Sequence, residues 1–239
     1  MLYNILTIGD VVGGCGVSCL EHHLRAVKKL KNIHFTVVNG ENAAMVGLTP
    51  NDAERIFSAG ADVITLGNHT FGKMQITDYL DDCPYILRPH NLGARVPGRG
   101  YGVFDCGRAR IAVMNLIGRC DLAFHADNPF KTADELLKSG EKPTFTLLDF
   151  HAEATSEKLA MGWFLDGRVS AVWAILSTSE IATLVKNPGA VVPLDDVFGS
   201  IRQQGGKWLF ALSTDKLVDL YTSQGFIPVA WLQWDNAQA

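Results

Sequence analysis

Val38-Asn39-Gly40-Glu41-Asn42-Ala43-Ala44 is the stretch from which the fold is read. A run of β-formers, His34-Phe35-Thr36-Val37-Val38, leads straight into it, so a strand ends in a carboxylate flanked by amides. In open α/β sheets, ligands bind at the carboxyl ends of the strands. Three other places share the pattern. Ile8-Gly9-Asp10 closes an apolar run that starts at Tyr3, Leu66-Gly67-Asn68-His69 closes another, and Leu148-Asp149-Phe150-His151 a third. Four expected strands thus end in groups able to ligate a metal, and the chain up to about residue 173 reads as scaffold for that rim.

Working outward, the continuous apolarity of Tyr3 to Ile8 suits a strand covered on both faces. Gly13, Gly14 and Gly16 follow, then a helical pattern from about Val17 to Leu30. The glycines do not fit G-x-G-x-x-G, because Cys19 stands where the last glycine belongs; a turn beside a metal ligand is the better reading. Thr49 is the expected N-cap of a helix with Pro50 in its first turn, stopped by Gly60. Further strands are expected over 62–66, 85–87, 144–150 and 169–175, with a hairpin of 101–104 and 111–116 around Asp105-Cys106-Gly107. Helices are expected over 73–80, around 134–137 and over 154–164. This alternation argues for α/β layers. Beyond it, short strands are expected over 179–185 and 207–212, helices over 194–204 and 215–224, and a closing strand over 226–234.

At 239 residues, 47% hydrophobic and 19% charged, the chain can bury a substantial core. A net charge of −4 and a pI near 5.9 exclude a nucleic-acid or anionic-membrane surface built on bulk charge. No run approaches the ~18 apolar residues of a membrane span, and Met1-Leu2-Tyr3-Asn4 lacks a signal-peptide pattern, so a cytoplasmic protein is expected. The five cysteines are odd in number and scattered. Cys15 and Cys19 have no second pair to complete a zinc site, which favours reduced thiols.

The rim carries the chemistry. Two divalent metals about 3.5–4 Å apart can clamp the attacking and leaving oxygens of a phosphoester displacement. Asp10, Glu41, Asn68 and His151 are the right types for Fe, Mn or Zn. His69 stands beside them, where it can pass a proton to a leaving alkoxide. Each residue also has a plainer reading. Asp10 can cap the next helix, Asn39 and Asn42 can be turn formers beside Gly40, and His69 and His151 can be satisfied polar groups at a sheet edge. Four strand ends in succession favour the metal site. Its side-chain donors should then converge within a few ångströms, and a His151 more than ~10 Å from Glu41 would rule out direct ligation at ~2.0–2.6 Å.

The motifs Ile8-Gly9-Asp10-Val11-Val12-Gly13, Asn39 to Ala44, Thr65-Leu66-Gly67-Asn68-His69-Thr70, Arg88-Pro89 with Pro97 to Gly102, Asp149 to Glu157 and Leu165 to Val172 occur in one order. Over about residues 2–173 they resemble the calcineurin-like metallophosphoesterase superfamily, and within it the YmdB family of bacterial 2′,3′-cyclic-nucleotide phosphodiesterases. The resemblance implies a four-layer α/β/β/α sandwich with two metal ions, followed here by a divergent C-terminal α/β segment. By the same resemblance Asp10 would bind the first metal, Glu41 would bridge, and Asn68 and His151 would bind the second. Asn42 would bind a metal or support a ligand, and His69 would be the proton donor or stabilise the transition state.

One departure stands out. Where the family continues Gly-Thr-His-Thr-His, this chain reads Ala174-Ile175-Leu176-Ser177-Thr178, and His151 is its last histidine. Each metal would lose a ligand, and the second keeps more of its set. Leu176 and Thr178 are expected to face the same cavity. The tail, through Leu220-Tyr221-Thr222-Ser223-Gln224-Gly225-Phe226, is weakly similar to the second half of a GNAT acetyltransferase. It lacks a recognisable pyrophosphate loop between Asn187 and Phe198 and the first half of that fold, so it reads as a replaced or fused segment.

The expected organisation is a core over 1–175 and a segment over 176–239 that packs on it or completes it. The expected function is a metal-dependent phosphodiesterase that opens a cyclic nucleotide or similar diester by metal-hydroxide attack. The alternative is an impaired relative that binds a nucleotide, metal or partner without turnover, because the His-x-His is absent. The partner in either case is a small phosphodiester or nucleotide; self-association is left open.

Overall fold

Phe35–Asn39 forms strand β2, paired in parallel with β1 (Leu2–Ile8) on one side and β3 (Val63–Thr65) on the other. The structure is a computed structural model that describes residues 2–107, 109–122, 125–138, 142–174 and 230–235. Beyond β3 lies β4 (Ile86–Leu87), also parallel. A second sheet holds β5 (Tyr101–Asp105), β6 (Arg110–Ile117), β7 (Phe145–His151) and β8 (Ala171–Trp173) in that order. The first sheet is closed on its other side by β9 (Ala230–Asp235), antiparallel to β1 with Ala230 opposite Thr7. The described residues also contain five α-helices: α1 (Gly13–Leu30), α2 (Pro50–Ala59), α3 (Ile76–Asp82), α4 (Pro129–Leu137) and α5 (Thr155–Leu165).

The strand residues sort by side. Leu6, Ile8, Val38 and Ile64 pack against Val17, Leu20 and Leu24 of α1, Ile56 of α2 and Leu80 of α3. Tyr3, Ile5, Phe35, Val37 and Val63 point the other way, onto Ile111, Val113, Leu147 and Trp173 of the second sheet. The far side of that sheet packs Met114, Leu148 and Phe150 against Ala133 of α4 and Met161 and Leu165 of α5. Strands buried on both faces account for the unbroken apolar runs.

Several boundaries differ from the expectation for local physical reasons. Helix α1 begins at Gly13, not near Val17, so the glycines form its first turn. A Cβ on Gly16 would lie 3.1 Å from Val11 Cγ1, so the first turn packs closely on that loop. Helix α4 starts at Pro129, where the Asn128 side chain accepts from the backbone N–H of Phe130 and Lys131. Thr49 caps α2 by accepting from Asp52 N at 3.2 Å. Helix α3 starts three residues later than expected, after a turn over 73–75. The loop after β4 is folded around Arg88, whose buried guanidinium donates to the carbonyls of Pro89, His90, Gly93, Val96 and Pro97. Of the elements expected after residue 175, the closing strand is present over 230–235. The rest, with Leu176, Thr178 and the whole acetyltransferase-like stretch, lies outside the described residues. Among the described residues no helix is long and apolar enough to cross a membrane.

A buried side chain helps to tie the two sheets. Asn115 on β6 donates to Leu66 O at 2.6 Å and Leu87 O at 2.7 Å, the ends of β3 and β4. It is fully buried. Asn115→Ala takes the side-chain donor from the buried Leu66 O and leaves Leu87 O with the Leu66 N–H at 2.9 Å, and urea denaturation should show a loss of about 1–3 kcal/mol. A loss below about 0.5 kcal/mol would mean that water replaces the amide at the sheet junction.

Candidate metal centre

The end of β1 bends sharply at Asp10, whose φ of 36° lies in the left-handed region that Asp tolerates better than most residues. Val11 N then donates to Asn39 O at 2.9 Å and Gly13 N to Asn42 O at 2.8 Å. The loop after β1 is thereby laced to the loop after β2. On the other side Gly40 N donates to Thr65 O at 3.0 Å, which ties the β2 loop to β3. Asp10, Glu41, Asn42, Asn68 and His69 are therefore carried on loops held to one another by backbone hydrogen bonds. His151 comes from the second sheet, as the last residue of β7.

The structure brings all six side chains into one connected set. Asn42 Nδ2 donates to Asp10 Oδ1 at 2.7 Å, and His69 Nδ1 lies 2.8 Å from Asn42 Oδ1. The His69 backbone N–H reaches Glu41 Oε2 at 3.4 Å. His151 Nε2 lies 2.8 Å from Asn68 Oδ1, and His151 Nδ1 lies 3.2 Å from Glu41 Oε1. Gly67 makes the approach possible. A Cβ there would fall 2.2 Å from Glu41 Oε2 and 2.5 Å from His151 Nδ1.

The electrostatics of this set are unbalanced. The Glu41 side chain is 2% exposed, and burial, followed by the charge of Asp10, raises its pKa well above the ordinary carboxylate range. Burial pushes the His151 imidazole down to about 4, so the ring is neutral at pH 7. Its Nδ1 faces Glu41 at 3.2 Å without the alignment of a hydrogen bond, and is a buried atom with no hydrogen-bond partner. Deeper in, burial raises Asp149 to about 7, with Glu41 adding to the rise. Thr65 and Asn39 lie near enough to hold Asp149 down somewhat, yet neither closes a hydrogen bond on its oxygens.

A buried carboxylate, a second carboxylate beside it and an orphaned imidazole nitrogen fit a divalent cation. Among the described residues no group of three or more His, Cys, Asp and Glu side chains forms a ready metal cage. Asp10, Glu41 and His151 are the candidates of those types here, and the amides of Asn42 and Asn68 stand beside them as further oxygen groups that could meet a cation. The side with Glu41, Asn68 and His151 holds more donors than the side with Asp10.

Two supporting residues had no assigned role in the sequence. Glu157 on α5 is buried and accepts from Arg119 N at 2.9 Å and Cys120 N at 3.1 Å. It fixes the loop in which Gly118 N donates to His151 O at 2.8 Å. The signal for Glu157 was its place in the Asp149–Glu157 motif. Asn115 carried no signal beyond being a polar residue inside an apolar strand.

The family described as YmdB-like protein matches residues 6–178. The chain belongs to the YmdB-like family. A 2′,3′-cyclic-nucleotide 2′-phosphodiesterase of Bacillus subtilis (strain 168) is 46% identical over 211 residues, covering 84% of this chain and 80% of that relative. Among solved structures, a novel phosphatase from Mycoplasma pneumoniae superposes with a TM-score of 0.67 at 30% identity. It covers 74% of this chain, which spans 64% of that protein. A hypothetical protein from Thermus thermophilus gives 0.66 at 33% identity, covering 73% of this chain and 67% of its own. This member of the YmdB-like family thus spans about two thirds of the length of those solved relatives.

Gly67 provides a direct test of the centre. Gly67→Ala drives a methyl group into Glu41 and His151. Calorimetric titration with Mn²⁺ should show affinity reduced by at least the roughly 10–100-fold that follows loss of a supporting contact at a metal site, with the circular dichroism spectrum retained. Unchanged affinity would show that the cation does not use Glu41 and His151 together.

Proposed function

We propose that this chain is a metal-dependent phosphodiesterase that hydrolyses a cyclic nucleotide or a similar diester. The observation that carries the proposal is the orphaned Nδ1 of His151 3.2 Å from the buried Glu41, with His69 one residue beyond Asn68 on the same rim. The 46% identity to a protein named as a 2′,3′-cyclic-nucleotide 2′-phosphodiesterase supports the substrate class. The three apolar clusters support a four-layer α/β/β/α arrangement, and the pairing of β9 with β1 supports a segment after residue 175 that completes the core.

Asp10, Glu41, Asn42, Asn68 and His151 would hold the metal ions, Fe, Mn or Zn, with the Glu41–Asn68–His151 side the better furnished. When bound, such ions polarise phosphoryl oxygens and make water a nucleophile near neutral pH. The chain's own residues do the rest. Glu41 and His151 converge from different sheets, so the closing of the two sheets assembles the site. His69 stands on the loop of Asn68, where it protonates the alkoxide as a phosphorus–oxygen ester bond breaks. Arg88 is committed to backbone carbonyls and takes no part in holding the substrate phosphate.

A second reading has its own support. Leu176 and Thr178 stand where the resembled family has histidines. A site short of two ligands can bind nucleotide or metal without turning over. The two readings part in a single assay. Protein loaded with Mn²⁺ or Fe²⁺ should hydrolyse bis(p-nitrophenyl) phosphate and 2′,3′-cyclic AMP, and Glu41→Gln or a chelator should abolish both reactions. His69→Asn should lower kcat by roughly 10²–10⁴-fold. Equal background in native protein and Glu41→Gln, with nucleotide still bound, would establish the non-catalytic reading.

A further inference from the structure

Three side chains form a line across the rim: Asp10, Asn42 and His69. A carboxylate can only accept hydrogen bonds, so the Asn42 amide must turn its NH2 toward Asp10, where the contact is 2.7 Å. That choice fixes the other end of the amide. The carbonyl oxygen of Asn42 then faces His69 Nδ1 at 2.8 Å, and an oxygen acceptor at that distance requires a proton on Nδ1. In the neutral ring the lone pair therefore belongs to Nε2, and in the charged ring Nε2–H is the proton not already committed to the amide. We infer that Asn42 is a positioning residue that holds His69 in the Nδ1–H form and so makes Nε2 the atom through which a proton is passed.

The backbone keeps Asn42 in place for this task. Its carbonyl oxygen accepts from Gly13 N and Met45 N, each at 2.8 Å, which anchors the residue between the β1 loop and its own turn. The His69 side is held in turn by His69 N on Glu41 Oε2 and by Gly72 N on His69 O at 2.9 Å. The amide oxygen has a second lone pair, so a role as metal ligand is compatible with the positioning role. What is new is the direction of the relay: the acceptor-only carboxylate of Asp10 selects the orientation of Asn42, and that orientation selects the tautomer of His69. The inference rests on His69 being the proton donor of the proposed function, but its test does not need turnover.

The test is ¹⁵N NMR of histidine-labelled, metal-free full-length protein, recorded where the imidazoles are neutral. Wild-type His69 should show the Nδ1–H pattern. Asn42→Leu removes both hydrogen bonds, and His69 should then shift to a majority of Nε2–H, the form that free histidine prefers. Asn42→Asp keeps an oxygen facing Nδ1 and should restore the Nδ1–H form. His151 signals that stay in place show that the rim itself is intact in each variant. An Nε2–H pattern in the wild type, or an Nδ1–H pattern that survives Asn42→Leu, overturns the inference. If Asn42→Leu does not fold, the wild type and Asn42→Asp decide between them: Nδ1–H in both supports the relay, and Nε2–H in either refutes it. A catalytically silent chain gives the same readout, so failure of the relay and failure of the phosphodiesterase reading remain distinguishable.

Discussion

Crowded negative charge is the constraint around which this molecule is arranged. Asp10 and Glu41 lie close enough for the charge of one to raise the pKa of the other, and Asp149 lies beneath them with no exposure to solvent. Burying a carboxylate is costly unless it is paired, hydrogen-bonded or neutralised. In this set the only ring nitrogen facing Glu41 is that of a neutral imidazole. The cluster must therefore keep a proton or take a cation. On the proposed reading it takes a cation, and the raised pKa of Glu41 expresses the stress that the cation relieves.

Such a cluster needs a stiff frame, since like charges move apart wherever the backbone yields. The frame has two parts. Within the first sheet, backbone hydrogen bonds lace the loops after β1 and β2 to each other and the β2 loop to β3. Between the sheets, Asn115 spans to the ends of β3 and β4, and Glu157 clamps the loop behind His151. Gly67 then sets how closely the two halves meet. The role of that glycine is the space it leaves free, filled by Glu41 Oε2 and His151 Nδ1.

Most of the α/β order was legible in the sequence because each signal was local. The apolar runs before Asp10, Glu41 and Asn68 became parallel strands, and Thr49, Pro50 and Gly60 bounded a helix through their own backbone preferences. The boundaries that moved depended on partners remote in the chain. Gly14 and Gly16 read as a turn by propensity, yet Val11 offers a close surface on which a glycine-containing helical turn fits. Residue types at the strand ends named the candidate site. They could not show that β7, from the other sheet, would bring His151 to 3.2 Å from Glu41. That contact follows from how the sheets stack, which no single window of sequence contains. Asn115 shows the same limit, since a polar residue inside an apolar strand signals a buried partner without naming Leu66 and Leu87.

The two halves of the rim differ in kind. Glu41, Asn68 and His151 form the half richer in donors, and its defining feature is a buried imidazole nitrogen without a hydrogen-bond partner. Asp10, Asn42 and His69 form the other half, where the side chains are joined to one another by hydrogen bonds. Glu41 joins them, with one oxygen toward His151 and the other toward the His69 backbone. A lost ligand would therefore weigh differently on the two sides. On the first it removes one donor from a set that still contains a carboxylate, an amide and an imidazole. On the second it would leave Asp10 and Glu41 as the charged groups, and a cation drawn to Asp10 would compete for the carboxylate that faces Asn42. On the proposed reading, the hydrogen bonds of the second half would keep His69 oriented with a single cation held in the first. On this reading the chain can lose symmetry at its centre before it loses the geometry of proton transfer.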